Sequence, residues 1–292
     1  LGTPAAKETI TGIVEFIALP FAYPFMLRAL LAAAVVGATC AVVGTYIVLR
    51  GMSFFGDALA HSILPGVAVG YIVHRGDREP ILLWALGAAV FAALGIGAVS
   101  RRGLMEDTAI GIVFVGMFAL GIAIISTVRG YAVDLAHFLF GNILAVSPRD
   151  LWLTAGIGGA VVITIVLFYK EFLVVSFDPT FAATLRLRTG LFQYLLLLLI
   201  AVTVVISLQA VGVALVLAML ITPPATAQLF TRRLGRMMVI AALLGFLSGA
   251  IGLYVSFYVG IASGAAIVLV ATALFLLALA FAPRRGTLAH RK

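Results

Sequence analysis

The sequence predicts an all-α polytopic membrane protein with about nine transmembrane helices, within a range of eight to ten. Three observations carry that reading. Of 292 residues, 64% are apolar and only 10% are charged, whereas soluble domains sit nearer half apolar and a quarter charged. The charges are spaced so that uncharged runs one bilayer thick lie between them. Threading those runs back and forth then gathers most of the basic residues on one side. A soluble body of this size could not hide so much apolar surface, so a water-soluble enzyme, a disordered linker and a nucleic-acid-binding module are excluded. The net charge of +8 accordingly reads as basic cytoplasmic loops, not as a nucleic-acid partner.

The elements follow in order from the charge gaps, since a helix needs about 20 apolar residues to cross the hydrocarbon core. Residues 1–24 read as an amphipathic or partly inserted segment. Arg28 to Arg50 encloses 21 uncharged residues, Glu79 to Arg101 another 21, Asp107 to Arg129 another 21, and Asp150 to Lys170 encloses 19; each is one span. Arg188 to Arg232 encloses 43 and Arg236 to Arg284 encloses 47, so each holds a pair. The turn signals of these pairs lie at Ser207, Gln209 and Gly212, and at Tyr258, Gly260, Ser263 and Gly264. One more span, about Ser53 to His74, carries Asp57 and His61 inside it. Residues 25–283 thus form one transmembrane unit, with a loop at 171–188 and a basic tail at 284–292. The run from Gly87 to Gly95, rich in small residues, predicts close helix approach.

Placing the tail in the cytoplasm puts Arg50, Arg101, Arg102, Lys170, Arg186, Arg188, Arg232, Arg233 and Arg236 inside with it. Lys7, Arg28, Arg75, Arg78, Arg129 and Arg149 fall outside. The bias has the sign of the positive-inside rule.

Charge at membrane depth costs at least ~2.5–3.5 kcal/mol per residue, so ionisable residues there point to function. Asp57 is the one acid well inside a span, and His61 follows at i+4, on the same helix face. A carboxylate oxygen and an imidazole nitrogen so spaced can reach one divalent cation, and oxygen with imidazole suits Mn, Zn or Fe(II). Ser53 and Pro65 extend that face by one turn each way, so carbonyls freed near Pro65 add to the site. Three other readings of the pair stay open: a structural pair bonding each other, a helix cap at Asp57, and a proton relay. Glu106 and Asp107 open a span, where acids complement the helix dipole. Asp134 and His137 lie in an outside loop and form a secondary place for a cation, or a plain surface pair. Thr222-Pro223-Pro224 breaks the seventh span, as a gate or hinge or as an early helix end. The lone Cys40 reads as a small buried hydrophobe.

Absences narrow the field. None of the three lysines completes a P-loop, and neither His-Glu-x-x-His nor Gly-x-Ser-x-Gly occurs. Active transport would draw its energy from another chain or from an ion gradient.

The stretch Arg50-Gly-Met-Ser-Phe-Phe-Gly-Asp57-Ala-Leu-Ala-His61-Ser-Ile-Leu-Pro65-Gly resembles a motif of the membrane permeases of ATP-binding-cassette importers for manganese, zinc and iron. Segments at Glu106-Asp107, His137 to Asn142, Phe177-Asp178-Pro179, Ser207 to Gly212 and Ala218 to Ala227 match in order, so the likeness covers about residues 24–282. It implies a fold related to the cobalamin- and siderophore-type importer permeases, in a bacterial cytoplasmic membrane. It also implies a homodimer, separate cytoplasmic ATPase subunits, an extracytoplasmic metal-binding protein, contact with membrane lipid, and no permanently bound cofactor. The metal is the transported substrate, held by Asp57 and His61, and this chain is not itself an enzyme. A short coupling helix would dock on the ATPase through Phe177, Asp178, Pro179, Ala182, Ala183 and Leu185. Asp178 reads as its N-cap and Pro179 as its first residue. The family usually has Gly where Leu185 or Arg186 stands, and a Thr-Gly-Pro-like segment where Ser263-Gly264-Ala265 stands. A siderophore, haem or cobalamin permease of the same architecture, and a gradient-driven metal carrier, are the alternatives.

Overall fold

A computed structural model describes residues 19–74, 78–127 and 143–281. Among them lie nine helices long and apolar enough to cross a membrane. Helix α1 (Pro24–Leu49) leads through a tight turn to α2 (Phe55–Ser62) and α3 (Leu64–His74), which together make one span. Next come α4 (Arg78–Ser100), α5 (Glu106–Ile125) and α6 (Pro148–Leu167). Two short helices, α7 (Tyr169–Phe177) and α8 (Pro179–Thr184), precede α9 (Thr189–Val211), α10 (Val213–Phe230), α11 (Leu234–Val259) and α12 (Ser263–Phe281). Asp134 and His137, most of the 1–24 segment and the 284–292 tail lie outside the described residues.

Both predicted hairpin turns fall on a glycine with positive φ. Gly212 (φ 86°) separates α9 from α10, and Gly260 (φ 74°) caps α11. No side chain relaxes easily into that backbone region, which is why the long uncharged runs divide there. At the start of α6, Ser147 accepts a hydrogen bond from the Asp150 N–H at 3.1 Å, with Pro148 as first residue.

Helix α1 is the axis of the bundle, packing against α6, α9, α10 and α11, while α9 packs against α1, α4 and α6. Their shared core includes Val43, Ile47, Ile200, Val204 and Leu220, all fully buried. Cys40 is buried too, its thiol 3.4 Å from the Ser207 hydroxyl. The outward sides stay apolar, as at Phe91, Ile163 and Leu269. In water such a surface would aggregate; next to acyl chains it is stable.

The small-residue run of α4 does pack closely, through its alanines: Ala89 and Ala92 are fully buried, and a β-carbon on Gly66 of α3 would lie 2.8 Å from the Ala88 methyl. The glycines that bound the run take no part, since Gly87 faces open space and Gly95 makes ordinary contact with Val113. Thr222-Pro223-Pro224, against expectation, does not break the seventh span, because α10 runs on to Phe230 with both prolines buried inside it. Pro224 cannot donate to the Leu220 carbonyl. That carbonyl lies in a notch at Gly44 of α1, where a β-carbon would overlap its oxygen. Below it the Thr226 hydroxyl donates to the Thr222 carbonyl at 2.7 Å. Neighbouring helices thus accommodate the backbone that the prolines disturb.

Candidate functional site

The turn into α2 is built from backbone hydrogen bonds. Gly51 takes φ 71°, its N–H donates to the Val48 carbonyl at 3.2 Å, and the Met52 N–H donates to the Ile47 carbonyl at 3.0 Å. This reversal, with glycine in the left-handed position, satisfies two carbonyls at the end of α1. Helix α2 then starts at Phe55, so Asp57 stands in its first turn and not well inside the span. At 1.5 Å per residue, Asp57 lies about 3 Å and His61 about 9 Å along the helix. The sequence gap misled because residues 51–54 are turn, although they are uncharged.

Asp57 and His61 share one face as predicted, with His61 Nε2 3.6 Å from Asp57 Oδ1. That separation is too long for a direct hydrogen bond. Both side chains are about one-third exposed, Asp57 at 31% and His61 at 32%. Every other residue from Phe55 to Ala68 is buried. Up to Ala68 the span is therefore enclosed by its neighbours except on the side carrying the two ionisable groups; its far end opens again at Ile72 and Val73. Pro65, one turn on, cannot supply the N–H that would bond the His61 carbonyl. The helix is interrupted at Ile63, between α2 and α3.

Helix α5 forms one wall. The His61 ring stands 6.1 Å from Phe114 and 5.8 Å, edge-on, from Phe118, and Phe54 meets Phe114 at 6.5 Å. Among the described residues, no third His, Cys, Asp or Glu joins the pair in a cluster that could hold a metal ion. The chemistry available in one chain is thus one carboxylate and one imidazole; the His61 carbonyl, denied a donor at Pro65, takes the Ile63 N–H instead.

Glu106, read as a helix-dipole acid, has a more specific role. It is ion-paired with Arg50, and the Gln193 Nε2 donates to the same carboxylate oxygen at 3.2 Å. Asp107 beside it is exposed. The Arg50 partnership gives no local sequence signal, because 56 residues separate the two.

The short helix α8 forms as predicted. Asp178 Oδ1 accepts from the Phe181 N–H at 2.8 Å, and Pro179 is the first helical residue. Its C-terminus closes with Arg186 N–H to the Ala183 carbonyl at 3.0 Å and Leu187 N–H to the Ala182 carbonyl at 3.2 Å. This is the closure that normally uses glycine. Arg186 takes the left-handed position itself, with φ 56°, the one non-glycine residue to do so among those described. Ala182 is buried, whereas Phe177, Phe181 and Leu185 are exposed to 59%, 52% and 52%. These three recur every four residues, but Phe177 closes α7 and the non-helical Asp178 separates it from α8, so only Phe181 and the capping Leu185 belong to the α8 turn. Phe181 was not singled out from the sequence, although that spacing marks it. Ala183 is exposed as well, and Thr222 is half-buried on α10, far along the chain from Asp57.

Known proteins place this architecture. The ABC 3 transport family matches residues 22–282. The manganese transport system membrane protein MntC of Halalkalibacterium halodurans is 47% identical over 267 residues, covering 91% of this chain and 90% of that protein. The manganese import system permease protein ScaB of Streptococcus parasanguinis is 38% identical, covering 95% and 98%. A probable iron transport system membrane protein of Haemophilus influenzae is also 38% identical, covering 96% and 98%. Among solved structures, PsaBC from Streptococcus pneumoniae in complex with Fab superposes with a TM-score of 0.79 at 38% identity, over 93% of this chain and 96% of that one. An inward-facing structure described as a metal-chelate type ABC transporter shares the fold, with a TM-score of 0.70 at 16% identity over 87% and 85%. With its helix order, its capped α8 and a family match over nearly its whole length, this chain belongs to the ABC 3 transport family.

Proposed function

We propose that this chain is the membrane permease of an ATP-driven importer for a divalent transition metal, and that Asp57 and His61 line the path of the ion. One observation carries this reading: from Phe55 to Ala68 only these two side chains escape burial. Ionisable groups in a span are costly unless they face a polar passage or a partner. Apolar residues would serve better if packing were the sole demand.

Oxygen and imidazole donors suit manganese, ferrous iron or zinc. The relatives named for manganese and iron systems favour the first two. Raw affinity would rank zinc above manganese at such a site, so discrimination rests with the extracytoplasmic binding protein that delivers the ion. Two side-chain donors are too few for a dehydrated cation. A second copy of the chain across a two-fold axis supplies another carboxylate and imidazole, and two carboxylates balance one divalent charge in low dielectric. The binding protein docks at the outer end, where Asp134 and His137 form a secondary contact for the ion.

Exposed Phe177 at the end of α7, with Phe181 and Leu185 of the α8 turn, docks into cytoplasmic ATPase subunits; the C-terminus is then cytoplasmic and the energy supply lies outside this chain. Asp178, Pro179, Ala182 and Ala183 shape that helix. ATP-driven closure moves α8 and alternates access. Phe91, Ile163 and Leu269 face lipid.

The test is uptake of Mn2+ by vesicles carrying the full complex with Asp57→Asn or His61→Ala. Each is expected to lower uptake by about a hundredfold, on the scale of a lost charge-assisted ligand. Wild-type uptake in both variants removes the pair from the pathway. Retained uptake by vesicles lacking the ATPase would instead point to a gradient-driven carrier.

A further inference from the structure

Resting on the permease reading above, we propose that Arg50, held by Glu106 and Gln193, is a positioning residue that carries movement of the α7–α9 segment to the helix bearing Asp57 and His61. Arg50 lies at the end of α1, and its side chain is only 8% exposed. Its partner Glu106 is the first residue of α5, and Gln193 lies in the second turn of α9, just beyond α8. One carboxylate oxygen therefore joins three helices.

The charge is incompletely satisfied. Arg50 Nη1 is buried without a hydrogen-bond partner. One turn earlier on α1, the hydroxyl of fully buried Tyr46 also lacks one. Buried polar atoms in this condition are rare and call for a reason. A cluster built for stability alone would have satisfied or replaced them. Tyr46 meets Phe172 of α7 edge-on at 5.9 Å, and Phe172 meets Phe192 of α9 at 5.8 Å. The last turn of α1 thus touches the elements on both sides of α8, through an aromatic cluster and an ion pair.

From Arg50 to Asp57 the chain is short and held by local backbone hydrogen bonds. The bonds of the Gly51 turn are followed by Phe55 N–H to the Met52 carbonyl at 2.9 Å and Ala58 N–H to the Phe54 carbonyl at 3.0 Å. A displacement at Arg50 therefore shifts α2 as a unit. The same Glu106 anchors α5, whose Phe114 and Phe118 flank His61. Movement of α9 relative to Glu106 changes both the helix that carries the ionisable pair and the wall opposite it.

The experiment uses the full complex of permease, ATPase subunits and binding protein in proteoliposomes, with Mn2+ uptake and ATP hydrolysis read together. For Arg50→Gln, hydrolysis is expected to stay within about twofold of wild type while Mn2+ moved per ATP falls about tenfold, the size of an ordinary coupling between sites. The exchanged pair Arg50→Glu with Glu106→Arg should recover most of the ratio. An unchanged ratio in Arg50→Gln overturns the proposal. So does a loss of uptake matched by an equal loss of hydrolysis and not recovered by the exchange, since that marks a merely structural pair. Should Arg50→Gln fail to assemble, Glu106→Gln and Gln193→Leu decide: a lowered ratio supports the proposal, and a wild-type ratio overturns it. Asp57→Asn is measured alongside. If it transports like wild type, the metal-path reading fails on its own, while the Arg50 ratios still judge the coupling.

Discussion

Two helix contacts in this bundle are built on opposite principles. Helix α1 meets α10 and α11 backbone to backbone: Gly44 admits the Leu220 carbonyl, and a β-carbon on Gly37 would lie 3.1 Å from the carbonyl carbon of Gly245. Helix α2 meets α5 through rings, Phe54 on Phe114 and His61 on Phe114 and Phe118, and the Arg50–Glu106 ion pair holds the end of that contact. Interlocked backbones leave one arrangement; rings and one ion pair can re-form at a new angle. Under the proposed mechanism the first contact is scaffold and the second moves, and Asp57 and His61 sit on the second.

The largest effect that would break this contrast is on the scaffold side. Gly44→Ala forces a methyl group into the Leu220 carbonyl, and backbone cannot move aside as a flexible side chain can. Overpacking of this kind costs about 3 kcal/mol. Thermal unfolding in detergent should show it as a large loss of folded protein. A Gly44→Ala protein as stable as wild type would mean that α1 and α10 are free to part.

Asp57→Asn and His61→Ala should do the reverse, leaving unfolding within about 0.5 kcal/mol of wild type while abolishing most uptake. A stability loss comparable to that of Gly44→Ala would make the pair a packing feature. Phe181→Ser sharpens the same division at the far end of the coupling path. The side chain is half exposed, so folding should be unaffected, while ATPase binding weakens about tenfold as for a truncated interface anchor. Pull-down of the ATPase with and without the substitution reads this directly.

The smallest predicted effect is a gain. Arg186 holds a left-handed backbone position, φ 56°, at the end of α8, which costs a non-glycine residue about 1 kcal/mol. Arg186→Gly should therefore slow hydrogen exchange at the Leu187 and Arg186 amides, which bond the Ala182 and Ala183 carbonyls. Unchanged or faster exchange would show that the arginine side chain supplies a compensating contact.

The span pattern was legible because charges mark membrane edges. Arg28, Arg50, Arg101 and Arg232 bound uncharged runs whose helices end within a few residues of them. Gly212 and Gly260 were legible as turns for their conformational freedom, and Asp178-Pro179 as a helix start for its capping chemistry. What escaped depends on the third dimension. The position of Asp57 along α2 turned on a turn made of uncharged residues. The partner of Glu106 lies 56 residues away, and the notch at Gly44 exists only against Leu220. Glycines at 87 and 95 look the same in sequence as Gly44, yet they pack against nothing tight.

The central claim is that the His61 imidazole and the Asp57 carboxylate bind the transported ion. Electron spin-echo spectroscopy of Mn2+ trapped in the assembled complex tests it most directly. With His61 as a ligand, the manganese shows a nitrogen coupling that disappears in His61→Ala, together with transport. A manganese spectrum with no nitrogen coupling in the wild-type complex, or one that survives His61→Ala with uptake intact, would contradict it.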